Sequence, residues 1–126
     1  MNLFEYEWPL EQAKAVLVAH LKSLGITSVT IGYDGEGDDG QITDIEALEP
    51  TEVKLKLMND GTPLGSHREL TEALENFAWK VLDEHHAGFE INDGGFGTIT
   101  IDVTGNSVSL AKNDKFIGYH SETVAV

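Results

Sequence analysis

The segment Ile26–Leu48 reads ITSVTIGYDGEGDDGQITDIEAL, and its two halves settle the class of fold. Over Ile26–Tyr33, period-two alternation sets Val29, Ile31 and Tyr33 on one side, which predicts a strand with one buried face. A second strand is expected over Ile42–Leu48, after a connection rich in Gly and Asp. Ile42 and Ile45 break strict alternation there, which is the mark of a β-bulge. Downstream, Val53, Leu55 and Leu57 alternate with Glu52, Lys54 and Lys56, the pattern of a sheet with one wet face.

Helices flank this group. From Pro9 to Leu24, the residues Leu10, Ala13, Leu17, Leu21 and Leu24 recur at three and four positions and form one apolar stripe. Pro9 suits the first helical position, Glu11 sits near the positive end of the dipole, and Gly25 provides a stop. A second helix is predicted from Ser66, where Ser66-His67-Arg68-Glu69 has capping-box spacing. Its buried face would be Leu70, Leu74, Phe77, Ala78, Val81, Leu82 and His85, with Gly88 ending it. Trp79 falls off that stripe and reads as a half-buried side chain rather than an interface anchor.

The remaining strands are expected at Phe89–Ile91, Gly97–Val103, Ser107–Lys112 and Phe116–Val124. Asp93-Gly94-Gly95, Thr104-Gly105-Asn106 and Asn113-Asp114 separate them as turns. The expected order is α-β-β-β-α-β-β-β-β. Short turns imply antiparallel pairing, so the fold class is α+β, an antiparallel sheet with both helices on its apolar face.

Composition narrows the function. The chain has 126 residues, enough for one domain with a real core, so residues 1–126 are read as a single α+β domain. There are 22 Asp+Glu against 8 Lys+Arg, a formal net charge of -14, and no cysteine. Such a charge opposes direct binding to nucleic acid or anionic lipid, since both are polyanions. Without cysteine there is no disulfide framework and no thiolate chemistry, which is compatible with a reducing cytoplasm. No run approaches a membrane span, and the acidic start from Met1 to Pro9 argues against a secretory signal.

The densest polar signal is Tyr33-Asp34-Gly35-Glu36-Gly37-Asp38-Asp39-Gly40-Gln41-Ile42. No basic residue occurs between Lys22 and Lys54, while Asp34, Glu36, Asp38, Asp39, Asp44, Glu46 and Glu49 all do. Calcium takes six to eight oxygen ligands, which alternating acids on a Gly loop can supply. Aligning Gly40 to the glycine of the helix–loop–helix calcium pattern puts Gly35 and Gly37 at ligand positions. Starting from Asp34 misplaces the glycine and the glutamate, and strands flank the loop. A solvated hairpin or partner surface is the better reading, and no metal or cofactor is assigned.

A second signal, Gly88-Phe89-Glu90-Ile91-Asn92-Asp93-Gly94-Gly95-Phe96-Gly97, is a Gly-rich turn. It leads into a strand rather than a helix, and Glu90, Asp93 and Asp102 would repel phosphate. His85 and His86 point about 100° apart on a helix, so they do not chelate one ion as an i, i+4 pair does. A general-base pair of His86 with Glu90 or Asp93 lacks a nucleophile nearby. No serine sits in a G-x-S-x-G elbow.

Gly35–Ile42 and Gly88–Gly94, running into Gly97–Val103, resemble two signatures, G-x-G-D-x-G-x-I and G-[WF]-E-I-N-D-G-x-x-G-x-[IVF]-x-[FI]-D-V. These belong to an uncharacterised family of small bacterial, plasmid and phage proteins. Phe89 stands where tryptophan is usual in that family. The resemblance implies a mobile-element setting, where inhibitors of host defence are often encoded; it transfers no activity.

The expectation is therefore a non-enzymatic acidic protein-binding module. Its partner would be a protein with a basic, nucleic-acid-binding surface, met by Asp34, Glu36, Asp38, Asp39, Asp44, Glu46, Glu90 and Asp93. Magnitude demands concentration of that charge. A fold of this mass exposes about 6,600 Å², or one net charge per roughly 470 Å² if spread evenly. A DNA duplex carries one per roughly 110 Å². The alternatives are a housekeeping adaptor whose charge only confers solubility, and a calcium-binding domain using the 34–46 loop. The oligomeric state is not legible in the pattern.

Overall fold

A computed structural model of the chain describes residues 3–5, 7–36, 39–50, 54–65, 67–85, 95–114 and 120–126. Helix α1 spans Leu10–Ser23, and strands β1 Ser28–Glu36, β2 Asp39–Leu48, β3 Lys54–Asn59 and β4 Thr62–Pro63 follow. Helix α2 spans Arg68–His85, and β5 Gly95–Asp102, β6 Ser107–Asp114 and β7 His120–Ala125 complete the order. Among the described residues the strands form one seven-stranded sheet in the order β4-β3-β2-β1-β5-β6-β7, with every pair antiparallel. The α+β class is as expected.

Local chemistry explains the elements. Ala13 donates its N–H to the Pro9 carbonyl at 3.0 Å, which opens α1 with the proline just outside it. At the other end Gly25 takes φ +78. Its N–H reaches the Lys22 carbonyl at 3.1 Å, and that of Ile26 reaches Leu21 at 3.0 Å. This is the Schellman closure that a glycine in the left-handed region permits. Thr27 then donates to Leu48 and Val103 to Thr27, stitching the start of β1 between its two neighbours.

Both irregular pairings in the sheet have a clear cause. Gly32 pairs with Asp44 and Tyr33 with Ile42, so Thr43 is the extra residue of a bulge. That bulge lets Ile42 and Ile45, three apart, both enter the core, as the spacing predicted. A second bulge lies between Ile45–Met58 and Glu46–Lys56, with Leu57 the extra residue. Leu57 and Met58 are consequently buried side by side, which simple alternation does not anticipate.

The core joins Val29, Ile31, Tyr33, Ile99, Ile101 and Leu110 of the sheet to Leu17 and Leu21 of α1 and Leu74, Phe77 and Leu82 of α2. Helix α2 lies across β1, β2 and β3, and the main helical neighbour of α1 is α2. Placing both helices alike on the sheet was thus too simple. The stripe of α1 also gains Val18, whereas Leu24, expected within it, stands 48% exposed because it lies past the last turn. Trp79 is half-buried against the core, as read.

The predicted element order needs correction. Strand β4 was not anticipated, although Asp60 (φ 51) and Gly61 (φ 79) form the two-residue turn of a hairpin pairing Asn59 with Thr62. The strand is only two residues long and contains Pro63, which a sheet accepts at its edge. Asn113 and Asp114, read as a turn, instead continue β6 opposite Phe96 and Gly95. β1 and β2 both extend beyond the predicted strands, to Glu36 and from Asp39. The strand expected at Phe89–Ile91, the Ser66 cap and the Gly88 stop lie outside the described residues.

Candidate functional site

Period-two geometry gives the sheet two unlike faces. Val29, Ile31 and Tyr33 turn inward, so Ser28, Thr30, Gly32 and Asp34 of β1 turn outward. Register extends that outward face to both sides. Thr30 stands opposite Glu46 on β2 and Thr100 on β5, and Gly32 opposite Asp44 and Thr98. Ser109 of β6 follows Thr100, and Ser28 lies beside Asp102. Around Thr30 the outward face is a floor of small and hydroxylated side chains bearing carboxylates, with Phe96 of β5 opposite Asp34 at its end.

Three of the sequence-predicted acids meet here. Asp34 is exposed at the level of Gln41 and Phe96, Asp44 is exposed beside Gly32, and Glu46 is half-exposed beside Thr30. Glu36 and Asp39 pair at the end of the β1–β2 hairpin, which brings their backbones to the same end of the sheet as Asp34. Asp38, Glu90 and Asp93 lie outside the described residues, as does the His86 general-base pairing.

Several of these carboxylates also serve the fold. Asp44 Oδ1 accepts the Asp60 N–H at 3.4 Å, and the Thr43 carbonyl accepts that of Gly61 at 2.7 Å. The bulge and its neighbour therefore hold the β3–β4 turn. Glu46 Oε1 lies 3.7 Å from Lys54 Nζ, whose side chain is 73% exposed. At that exposure the pair contributes about 0–1 kcal/mol.

Sequence reasoning missed two features of this face. It counted no basic residue between Lys22 and Lys54, but register sets Lys56 opposite Glu46 and Lys54 opposite Leu48. A cationic corner therefore borders the acids. It also passed over Asp102 as a member of the face. The alternation Thr98-Ile99-Thr100-Ile101-Asp102 carried that signal, since burial of Ile99 and Ile101 turns the other three outward. Asp102 Oδ1 accepts the Gly105 N–H at 3.0 Å and so braces the β5–β6 turn.

A shallow hollow of about 180 Å³ lies on this face between Ser28, Thr30, Glu46, Leu48 and Lys54. That is below the ~300 Å³ at which small-molecule pockets begin. Among the described residues no three His, Asp or Glu side chains converge to hold a metal ion, and no helix is long and apolar enough to cross a membrane. Glu75, on α2 and so on the opposite side of the sheet, has a raised pKa, by burial first and then by the nearby Glu72 charge.

No curated protein and no solved structure matches the chain. A family model does match, over residues 10–124, from the first residue of α1 into β7. The chain belongs to that family, the family of unknown function DUF6878.

Proposed function

We propose that this protein is a non-enzymatic, acidic binding module whose outward sheet face engages a protein with a basic surface. The observation that carries the reading is the meeting of Asp34, Asp44 and Glu46 on two adjacent strands, on the face opposite the helices. A floor of Ser, Thr and Gly beneath them lets a partner approach closely. Carboxylates on a rigid sheet attract a cationic patch at long range and fix its register at short range. The partner chemistry is that of a surface that otherwise meets nucleic acid. A mobile-element inhibitor acting in the cytoplasm is the biological form of this reading, supported by the resemblance of the two Gly-rich motifs.

The internal bonds of Asp44 and Asp102 and the Glu46–Lys54 pair favour a second reading, in which the charge confers solubility alone. One experiment separates the two. The chain is immobilised and used to capture partners from a native lysate at low and then high ionic strength. The comparison is a variant carrying Asp34→Asn, Glu36→Gln, Asp44→Asn and Glu46→Gln. Salt-sensitive capture that the variant loses while keeping its melting temperature supports the acidic interface. Capture that is indifferent to salt and to the four substitutions leaves the solubility reading.

A further inference from the structure

Among the described residues, the two edges of the sheet are built differently. At one edge, β3 carries Lys54 and Lys56, a bulge at Leu57, and a short partner strand containing Pro63. These are the devices by which natural sheets block strand addition. At the other edge β7 pairs with β6 from His120 to Ala125 with no register shift and no proline. Its only formal charge is Glu122.

Hydrogen-bond parity fixes what β7 offers. Val126 donates its N–H to the Val108 carbonyl at 2.9 Å, so Val126 and its alternate neighbours Val124 and Glu122 address β6. The N–H and C=O groups of Ser121, Thr123 and Ala125 therefore point away from the sheet. Such a row takes another extended strand.

We infer that this strand is β7 of a second copy, paired antiparallel about a two-fold axis at Thr123. In that register Thr123 faces Thr123 of the other copy and Ser121 faces its Ala125. Every outward N–H and C=O of the three residues then finds a partner, and Glu122 stands opposite Val124. Centring the axis on Glu122 would instead oppose two glutamates, which destabilises a cross-strand pair. Centring it on Val124 would leave Ser121 unpaired. The self-complementary register is the one that satisfies the backbone and separates the charges, as an isologous interface requires. This pairing is independent of the acidic face.

Sedimentation equilibrium across micromolar to millimolar protein tests it. The average mass is expected to rise with concentration from 13.7 kDa to twice that value. Thr123→Pro removes an outward donor without touching the bonds to β6, and should hold the chain monomeric with its circular dichroism unchanged. Should that proline disturb the fold, a charge pair gives a second route. Thr123→Lys alone and Thr123→Glu alone should each be monomeric, and an equimolar mixture of the two should regain the dimer. A 13.7 kDa species at every concentration overturns the proposal. So does a dimer indifferent to substitution at Thr123.

Discussion

The Nζ of Lys112, on β6, donates a 2.8 Å hydrogen bond to the carbonyl oxygen of His85, the last residue of α2. The last carbonyls of a helix have no partner within it, and a cation there also answers the negative end of the dipole. Lys112 stands two residues beyond the buried Leu110, so the inward row of β6 ends in a charge where the helix ends. Replacing it by methionine keeps the aliphatic stem and removes the donor. The expected cost is about 1.5–3 kcal/mol, the range for a hydrogen bond to a charged group. A urea melt should show a lower midpoint and an unchanged slope, since the surface exposed on unfolding stays the same.

Gly97 is where the sheet tolerates no side chain. A Cβ there would collide with the Ala111 carbonyl oxygen and come within 2.9 Å of Tyr33 Oη, which lies over it from β1. The first obstacle is ladder backbone and cannot swing aside. Gly97→Ala should therefore cost about 3 kcal/mol or more, beyond the usual overpacking range of a flexible site. Gly25→Ala is the contrast. It has open space around it but φ +78, so strain alone of about 1–2 kcal/mol is expected. Thermal melts of the two variants should rank them in that order.

Phe4 meets Phe77 edge to face, with ring centroids 6.5 Å apart and planes at 81°. Phe77 is fully buried, and Leu3 is buried beside this contact, so the segment before α1 closes the core over α2. Phe77→Ala should cost about 3–5 kcal/mol as a large-to-small core change. Phe4→Ala should cost less, because that ring is only half-buried. A double-mutant cycle should recover a coupling of about 0.5–1.5 kcal/mol from the aromatic pair itself. Additive losses would mean that the rings do not interact.

Much of this fold could be read from spacing alone. Ile42 and Ile45 announced a bulge because two β residues three apart reach one face only when an extra residue intervenes. Leu57 and Met58 carried no comparable sign, since their shared burial depends on the pairing of β3 with β2, a relation outside the segment. Asp60-Gly61 is a strong turn signal, but the strand after it is two residues long and holds a proline, so no alternation marks it. The acidic face was half legible. Alternation alone assigns Asp34 and Asp44 to a sheet face, but which lysines lie beside them is set by register. Lys54 and Lys56, distant from Asp34 in the chain, become neighbours of Glu46 only through the pairing of β2 with β3. Membership in a family of unknown function was legible as well.

Glu75 supplies the pH dependence. Its pKa in the folded chain is raised, by burial first and by the charge of Glu72 second. An acid with a folded value above its unfolded one binds a proton more readily in the native state across the interval between the two. Stability therefore falls as pH rises through that interval, and the penalty is constant above it. Glu75→Gln removes the ionisation and keeps the shape, so the variant should melt higher than the native chain at neutral pH. The difference should shrink on acidification and vanish below about pH 4, where a glutamate is protonated in both states. Salt separates the two causes. Repulsion from Glu72 is screened, whereas the desolvation of a half-buried carboxyl is not. Because desolvation is the larger cause, most of the gain from Glu75→Gln should persist in high salt, and its disappearance there would assign the shift to Glu72 instead.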